Sequence, residues 1–214
     1  MNELFAFGLL TFTSFFTLIN PLGTMPIFMT MTSGLDDSHR TKTAQKASII
    51  AFLTILLFAF SGNLLFNFFG ISVHSFRIVG GVIFFIMGMD MLQARLGKVK
   101  VIDSEVKTYV NDISITPLAI PMICGPGAIT NAIILMEDAN SFAKKSVLIF
   151  TILIVMIITY VILYSASRII KLMGETGINV MMRLMGLIVM VIAVEFFFSG
   201  LKPIILDTIR LSTP

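Results

Sequence analysis

Long apolar runs separated by short polar stretches set the pattern of this chain. A helix rises 1.5 Å per residue, so about 20 consecutive apolar residues cross the hydrocarbon core of a bilayer. By that measure six spans are expected, at about 4–31, 47–69, 76–92, 113–136, 146–170 and 181–201. Polar connections fall at residues 32–46, with Asp36, Asp37, Arg40 and Lys42, and at 93–112, with Arg95, Lys98, Lys100 and Lys107.

Two of the runs are interrupted. Ile115-Thr-Pro-Leu-Ala-Ile-Pro-Met-Ile-Cys-Gly-Pro-Gly127 holds three prolines and two glycines, yet apolar sequence carries it on to Met136. Proline removes a backbone donor and clashes with the preceding turn, so no regular helix passes through this stretch. A similar break stands at Ile19-Asn-Pro-Leu-Gly-Thr-Met-Pro26. Within a bilayer, broken backbone survives only where it is buried in protein or lines a polar cavity. Paired broken spans in corresponding halves point to a transporter's substrate site.

The halves repeat. Ile19-Asn-Pro-Leu-Gly matches Ile115-Thr-Pro-Leu-Ala, and Gly70-Ile-Ser-Val…Arg77-Ile-Val-Gly80 matches Gly177-Ile-Asn-Val…Arg183-Leu-Met-Gly186. An odd number of spans per unit inserts the second copy upside down. The expected fold is therefore an all-α polytopic membrane protein of six transmembrane helices, built as two inverted three-helix repeats with helices 1 and 4 broken. Residues 1–92 form the first repeat, 93–112 a polar linker on the cytoplasmic side, and 113–214 the second.

Lysine and arginine set the orientation. The connections after spans one, three and five carry Arg40, Lys42, Lys46, Arg95, Lys98, Lys100, Lys107, Arg168, Lys171 and Arg183. The opposite side carries Arg77, Lys144, Lys145, Lys202 and Arg210. Ten against five places both termini outside the cytoplasm.

Composition agrees with a lipid solvent: of 214 residues, 57% are hydrophobic and 13% charged, where soluble domains are about a quarter charged. Mean hydropathy is +0.98. The net charge of +3 is small and no basic cluster is interleaved with exposed aromatics, so nucleic acid is not an expected partner. Cys124 is the single cysteine, which excludes an intramolecular disulfide. His39 and His74 are far apart and form no ligand-spaced pair, so neither a metal nor another cofactor is expected. There is no hydrolase constellation, and no enzymatic activity is expected.

The candidate chemistry gathers at the breaks. Asn20, Thr24, Thr116 and Thr130 supply polar side chains; Gly23, Ala119, Gly125 and Gly127 are small enough for a ligand to approach the backbone. A broken helix leaves orphan N–H groups at one end and orphan carbonyls at the other, attractive to anions and cations respectively. No Asp, Glu, Lys or Arg lies between Phe5 and Gly34 or between Ile113 and Met136. An ionic substrate would lack a fixed countercharge there, whereas a small zwitterion meets both helix ends. Asp90 and Glu195, late in spans three and six, are candidates for coupling to a proton. Sodium held by freed carbonyls is the other candidate ion, and packing kinks are the bland reading of the breaks.

At Asn20-Pro-Leu-Gly…Pro26 and Pro117-Leu-Ala-Ile-Pro…Gly-Pro-Gly127, the chain resembles the MarC family, and Gly174-Glu-Thr-Gly-Ile-Asn…Arg183-Leu-Met-Gly186 adds to the match. That family includes SnatA-type transporters of small neutral amino acids. The resemblance implies a six-helix, multi-pass protein of a bacterial inner membrane or archaeal cell membrane that moves a small solute; together with the uncharged breaks, the expected function is a secondary transporter of glycine, alanine or serine working by alternating access. Carried over by position, the site is Asn20, Pro21, Gly23 and Thr24 with Pro117, Ala119, Pro121, Gly125, Pro126 and Gly127. Cys124 stands where alanine is commoner in relatives. Export of drugs or other small metabolites, a passive channel, and assembly as a homo-oligomer stay open at this point.

Overall fold

The computed structural model describes residues 3–93 and 106–212. Arg95, Lys98 and Lys100, part of the expected cytoplasmic linker, lie outside the described residues. Every regular element is a helix: α1 Glu3–Ile19, α2 Pro21–Met31, α3 Asp37–Phe69, α4 Val73–Leu92, α5 Val106–Ile113, α6 Pro126–Asp138 and α7 Phe142–Ser212. An irregular segment, Ser114–Ile123, joins α5 to α6. Among the described residues, five helical stretches are long and apolar enough to cross a membrane. A sixth follows if Val110–Ile123 and Pro126–Asp138, bent by 60°, count as one broken span. The chain is an all-helical, multi-pass membrane protein.

Asn20 is where α1 ends. Pro21 has no N–H to continue the ladder, and Asn20 turns left-handed at φ 45, ψ 65, a region asparagine tolerates better than most residues. Its Oδ1 then accepts from the Gly23 N–H at 3.1 Å, capping α2, with Pro21 preset at the first helical position. The interruption is one residue long, and Glu3–Met31 runs on as one 29-residue span. The second interruption is larger. Thr116 and Ile120, each preceding a proline in a cis peptide bond, take extended backbone angles, and the chain re-enters a helix only at Pro126.

The polar connection expected over residues 32–46 is mostly helix. Asp36 caps α3, accepting the His39 N–H at 3.0 Å, and the helix runs 33 residues to Gly70, which closes it at φ 63. At 1.5 Å per residue that is roughly 50 Å, longer than the hydrocarbon core, so its polar first turns extend beyond the apolar layer. Arg40 on those turns reaches back to the end of α2, donating to the carbonyls of Thr32 (3.2 Å) and Leu35 (3.1 Å). A cation at a helix C-terminus meets the negative end of its dipole. The third span likewise starts earlier than expected, at Val73, because Ser72 caps it by accepting the Ser75 N–H. Spans five and six are joined within α7, where Gly174 (φ 66, ψ 174) is the point of departure from helical geometry.

Small residues let the helices close up. Ala44, Ala47, Ala51 and Ala59 form a buried stripe on α3 at helical spacing, and beyond them Gly62 lies under Ile133 of α6. Where α4 crosses the second arm of α7, a Cβ on Gly81 would stand 2.7 Å from the Ala193 carbonyl. The aligned repeats carry the neighbouring Gly88–Gly186 contact onto positions one residue from Gly81 and Ala193. Lys144 Nζ donates to Glu3 Oε1 at 2.6 Å, putting the start of α1 beside the start of α7. Lys46 donates to Asn111 Oδ1, putting the start of α3 beside the end of α5.

Candidate functional site

At the first break, the polar groups mostly satisfy one another. The Thr24 hydroxyl donates to the Asn20 carbonyl at 3.2 Å and reaches the Ile19 carbonyl at 3.4 Å. The Thr24 N–H bonds the Asn20 carbonyl at 3.0 Å. Asn20 has spent its Oδ1 on the Gly23 N–H, and its Nδ2 donates to none of the described residues. Gly23 has no room for a side chain, since a Cβ there would stand 2.3 Å from Asn20 Nδ2. The glycine is what lets the asparagine fold over the start of α2.

A cavity of about 40 Å³ opens against this break. Asn20, Gly23 and Thr24 line it, with Leu18, Ile19 and Ile27 from the same broken helix. Its far walls are apolar: Phe84, Met87 and Met91 of α4, Met122 beside the second break, and Val189 and Ile192 of α7. No charged side chain is among them. A space that size admits a few waters, far less than the roughly 300–1,000 Å³ of pockets that take drug-sized ligands.

The second break contributes backbone. Gly125 caps α6 without any side-chain hydrogen bond, so the first N–H groups of that helix receive no side-chain acceptor. Gly125, Pro126 and Gly127 are buried, and each is locked by a neighbour. Pro126 seats its ring on Gly80 of α4, with a Cβ at Gly80 only 2.0 Å from Pro126 Cγ. Positions for a Cβ on Gly125 and Gly127 lie 2.4 Å from Phe84 Cζ and 2.1 Å from Phe196 Cζ. Thr130, one turn further on, is 3% exposed, and its Oγ1 has no hydrogen-bond partner among the described residues. Beside it, Asn131 Nδ2 donates to Ser14 Oγ of α1 at 3.0 Å, tying the two broken helices together.

The candidates from the sequence are therefore only partly gathered. Asn20, Gly23 and Thr24 line the cavity, and Pro21 is buried directly behind them. Gly125, Pro126, Gly127 and Thr130 cluster at the start of α6 but do not line it. Ala119 is buried, Pro117 and Pro121 are half-buried, and Thr116 is exposed, none of them on the cavity. Asp90 is half-buried and Glu195 exposed, and neither borders the cavity. The cavity wall from α4 and α7 is the part sequence reasoning missed; Phe84, Met87 and Met91 do share one helical face, but α4 is apolar nearly all round.

Comparison with known proteins agrees with this architecture. The family model described as MarC family integral membrane protein matches residues 5–205. A UPF0056 membrane protein of Pyrococcus abyssi is 39% identical over 191 residues, covering 89% of this chain and 92% of its own. Another, of Pyrococcus horikoshii, is 37% identical over 194 residues, covering 91% and 94%. The UPF0056 membrane protein YvbG of Bacillus subtilis is 34% identical over 202 residues, covering 93% and 96%. No solved structure matches the chain. The matched region takes in both breaks, every residue lining the cavity and nearly the whole of each span, and the chain belongs to the MarC family of integral membrane proteins.

Proposed function

We propose that this protein is a secondary transporter that moves small neutral amino acids, with glycine, alanine and serine as candidates, across a bacterial or archaeal plasma membrane by alternating access. The observation that carries the proposal is the small, uncharged cavity at Asn20 and Thr24, set between helix ends of opposite polarity. The C-terminal end of α1 offers partial negative charge to an ammonium group. The start of α2, and that of α6 nearby, offer partial positive charge to a carboxylate. A fixed ionic substrate would stay unpaired in such a place, at a cost of several kcal/mol. A bulky drug would need far more of the apolar wall displaced than a small zwitterion does. In this reading the two halves are inverted repeats, the near-equivalent glycine contacts of α4 and α7 supporting that relation. Both termini lie outside the cytoplasm, and a proton or sodium gradient drives uptake or export.

The test is counterflow. Purified protein in liposomes preloaded with unlabelled alanine should accumulate labelled alanine transiently, and glycine and serine should compete where lysine, glutamate and glucose do not. Flux without any counterflow would replace the carrier by a channel. Movement of a bulky drug with none of the three amino acids would replace it by a drug exporter. A reporter active only outside the cytoplasm, fused at the C-terminus, should be active; silence from a stably inserted fusion would reverse the orientation.

A further inference from the structure

The helix end best suited to a carboxylate is covered. Phe84 of α4 and Phe196 of α7 stand as a pair, ring centroids 6.0 Å apart, one ring over each glycine at the start of α6. Phe84 also forms part of the wall of the cavity at Asn20. The same ring thus borders the cavity on one side and Gly125 on the other.

We propose that Phe84, backed by Phe196, is a partition between the Asn20 cavity and the start of α6, and that it sets the upper size limit of the transported solute. This rests on the transport reading above. The cavity as it stands holds a few waters, so a zwitterion gains room only by displacing part of the wall. Phe84 is the part whose displacement also uncovers the helix end. Met87 and Met91, on the same face of α4, are deformable and yield to small changes of shape. A phenyl ring is rigid and moves as a unit. A swing of that ring makes space for a substrate side chain of one or two heavy atoms. Larger side chains would need more of the wall displaced than this one ring. Small solutes therefore pass, and branched or long ones are refused, with no polar group rejecting them.

Two readouts test this. In the counterflow assay, wild-type protein should be inhibited by glycine, alanine and serine and hardly at all by valine or leucine. Phe84→Ala should narrow the gap between alanine and valine by about tenfold or more, the scale on which apolar pockets discriminate by size. Phe84→Leu keeps an apolar, packed wall and should fall between, which guards against a variant that fails to fold. The second readout needs no transport. Cys124, the single cysteine, is fully buried and precedes Gly125, so its labelling by a small maleimide in membranes reports access to the start of α6. Labelling should quicken in Phe84→Ala and in Phe196→Ala. Unchanged selectivity together with unchanged labelling overturns the partition. If wild-type protein shows no counterflow of any of the three amino acids, the transport reading is what fails, and the labelling alone decides the partition.

Discussion

Gly88 and Gly186 meet backbone to backbone. A Cβ on Gly88 would stand 2.9 Å from the Gly186 carbonyl oxygen, and one on Gly186 would stand 2.8 Å from that of Gly88. Neither neighbour is a flexible side chain that could swing away, so a substitution must push α4 and α7 apart. Gly186→Val should destabilise the protein by about 1–3 kcal/mol, the usual cost of overpacking. It should also lower the thermal midpoint in detergent. Gly8→Ala, whose Cβ would meet only Val147 Cγ1 at 3.3 Å, is the comparison and should cost less.

Asn20 combines a backbone role and a side-chain role, and two substitutions separate them. Asn20→Gly keeps access to the left-handed region and should cost only a few tenths of a kcal/mol as a cap. Asn20→Val meets a left-handed penalty of about 1–2 kcal/mol as well as loss of the cap. The valine variant should melt earlier and lose counterflow, while the glycine variant stays folded. If the glycine variant also transports at wild-type rate, the Asn20 side chain has no part in binding.

The start of α3 should respond to acid in one direction. The Asp36 carboxyl is held below its ordinary value of 3.8, first by the backbone N–H of His39 and then by the His39 side chain. A depressed acid contributes fully above its unfolded pKa and loses that contribution as the pH falls through the lowered folded value. The difference in thermal midpoint between wild type and Asp36→Ala should therefore persist at neutral pH and shrink well below pH ~4. A difference that vanishes already near pH 6 would contradict this assignment.

Asp90 and Glu195 border no part of the cavity. Counterflow, which needs no gradient, should survive Asp90→Asn with Glu195→Gln at within about threefold of wild type, as expected for groups outside the site. Loss of proton-driven accumulation with counterflow intact would make either acid the coupling group. Intact proton-driven accumulation would exclude both acids as the coupling group.

How much could be read from the sequence follows from what kind of signal each part gives. The Asn20-Pro21 break was legible because a missing donor is a local property of proline, wherever the residue lies. The six spans were legible from length. The start of α3 was not, because a hydropathy ruler stops at Lys46, while the helix starts where Asp36 caps it, nearly three turns earlier at about 3.6 residues per turn. Phe84, Met87 and Met91 were hidden for a different reason. In a soluble protein an apolar face marks the core, but a span facing lipid is apolar on every side, so nothing distinguishes a cavity wall from a lipid contact. Thr116 and Thr130 show the limit of residue type as a guide. One is exposed and the other buried without a hydrogen-bond partner among the described residues, although each stands in or beside the same broken stretch.

The Glu3–Lys144 and Lys46–Asn111 contacts join residues 141 and 65 positions apart, and Glu3 and Lys144 sit at the ends of their helices. Only Glu3–Lys144 pairs opposite charges, and an exposed ion pair of this kind holds weakly and loosens as salt is added, whereas the neutral Asn111 amide gives salt no second charge to screen. Both contacts behave as moorings rather than welds: each can part and re-form under thermal motion while the packed glycine crossing at Gly88 and Gly186 stays closed. Added salt thereby loosens the hold of α1 on the start of α7 and leaves the uncharged crossing of α4 and α7 as tight as before.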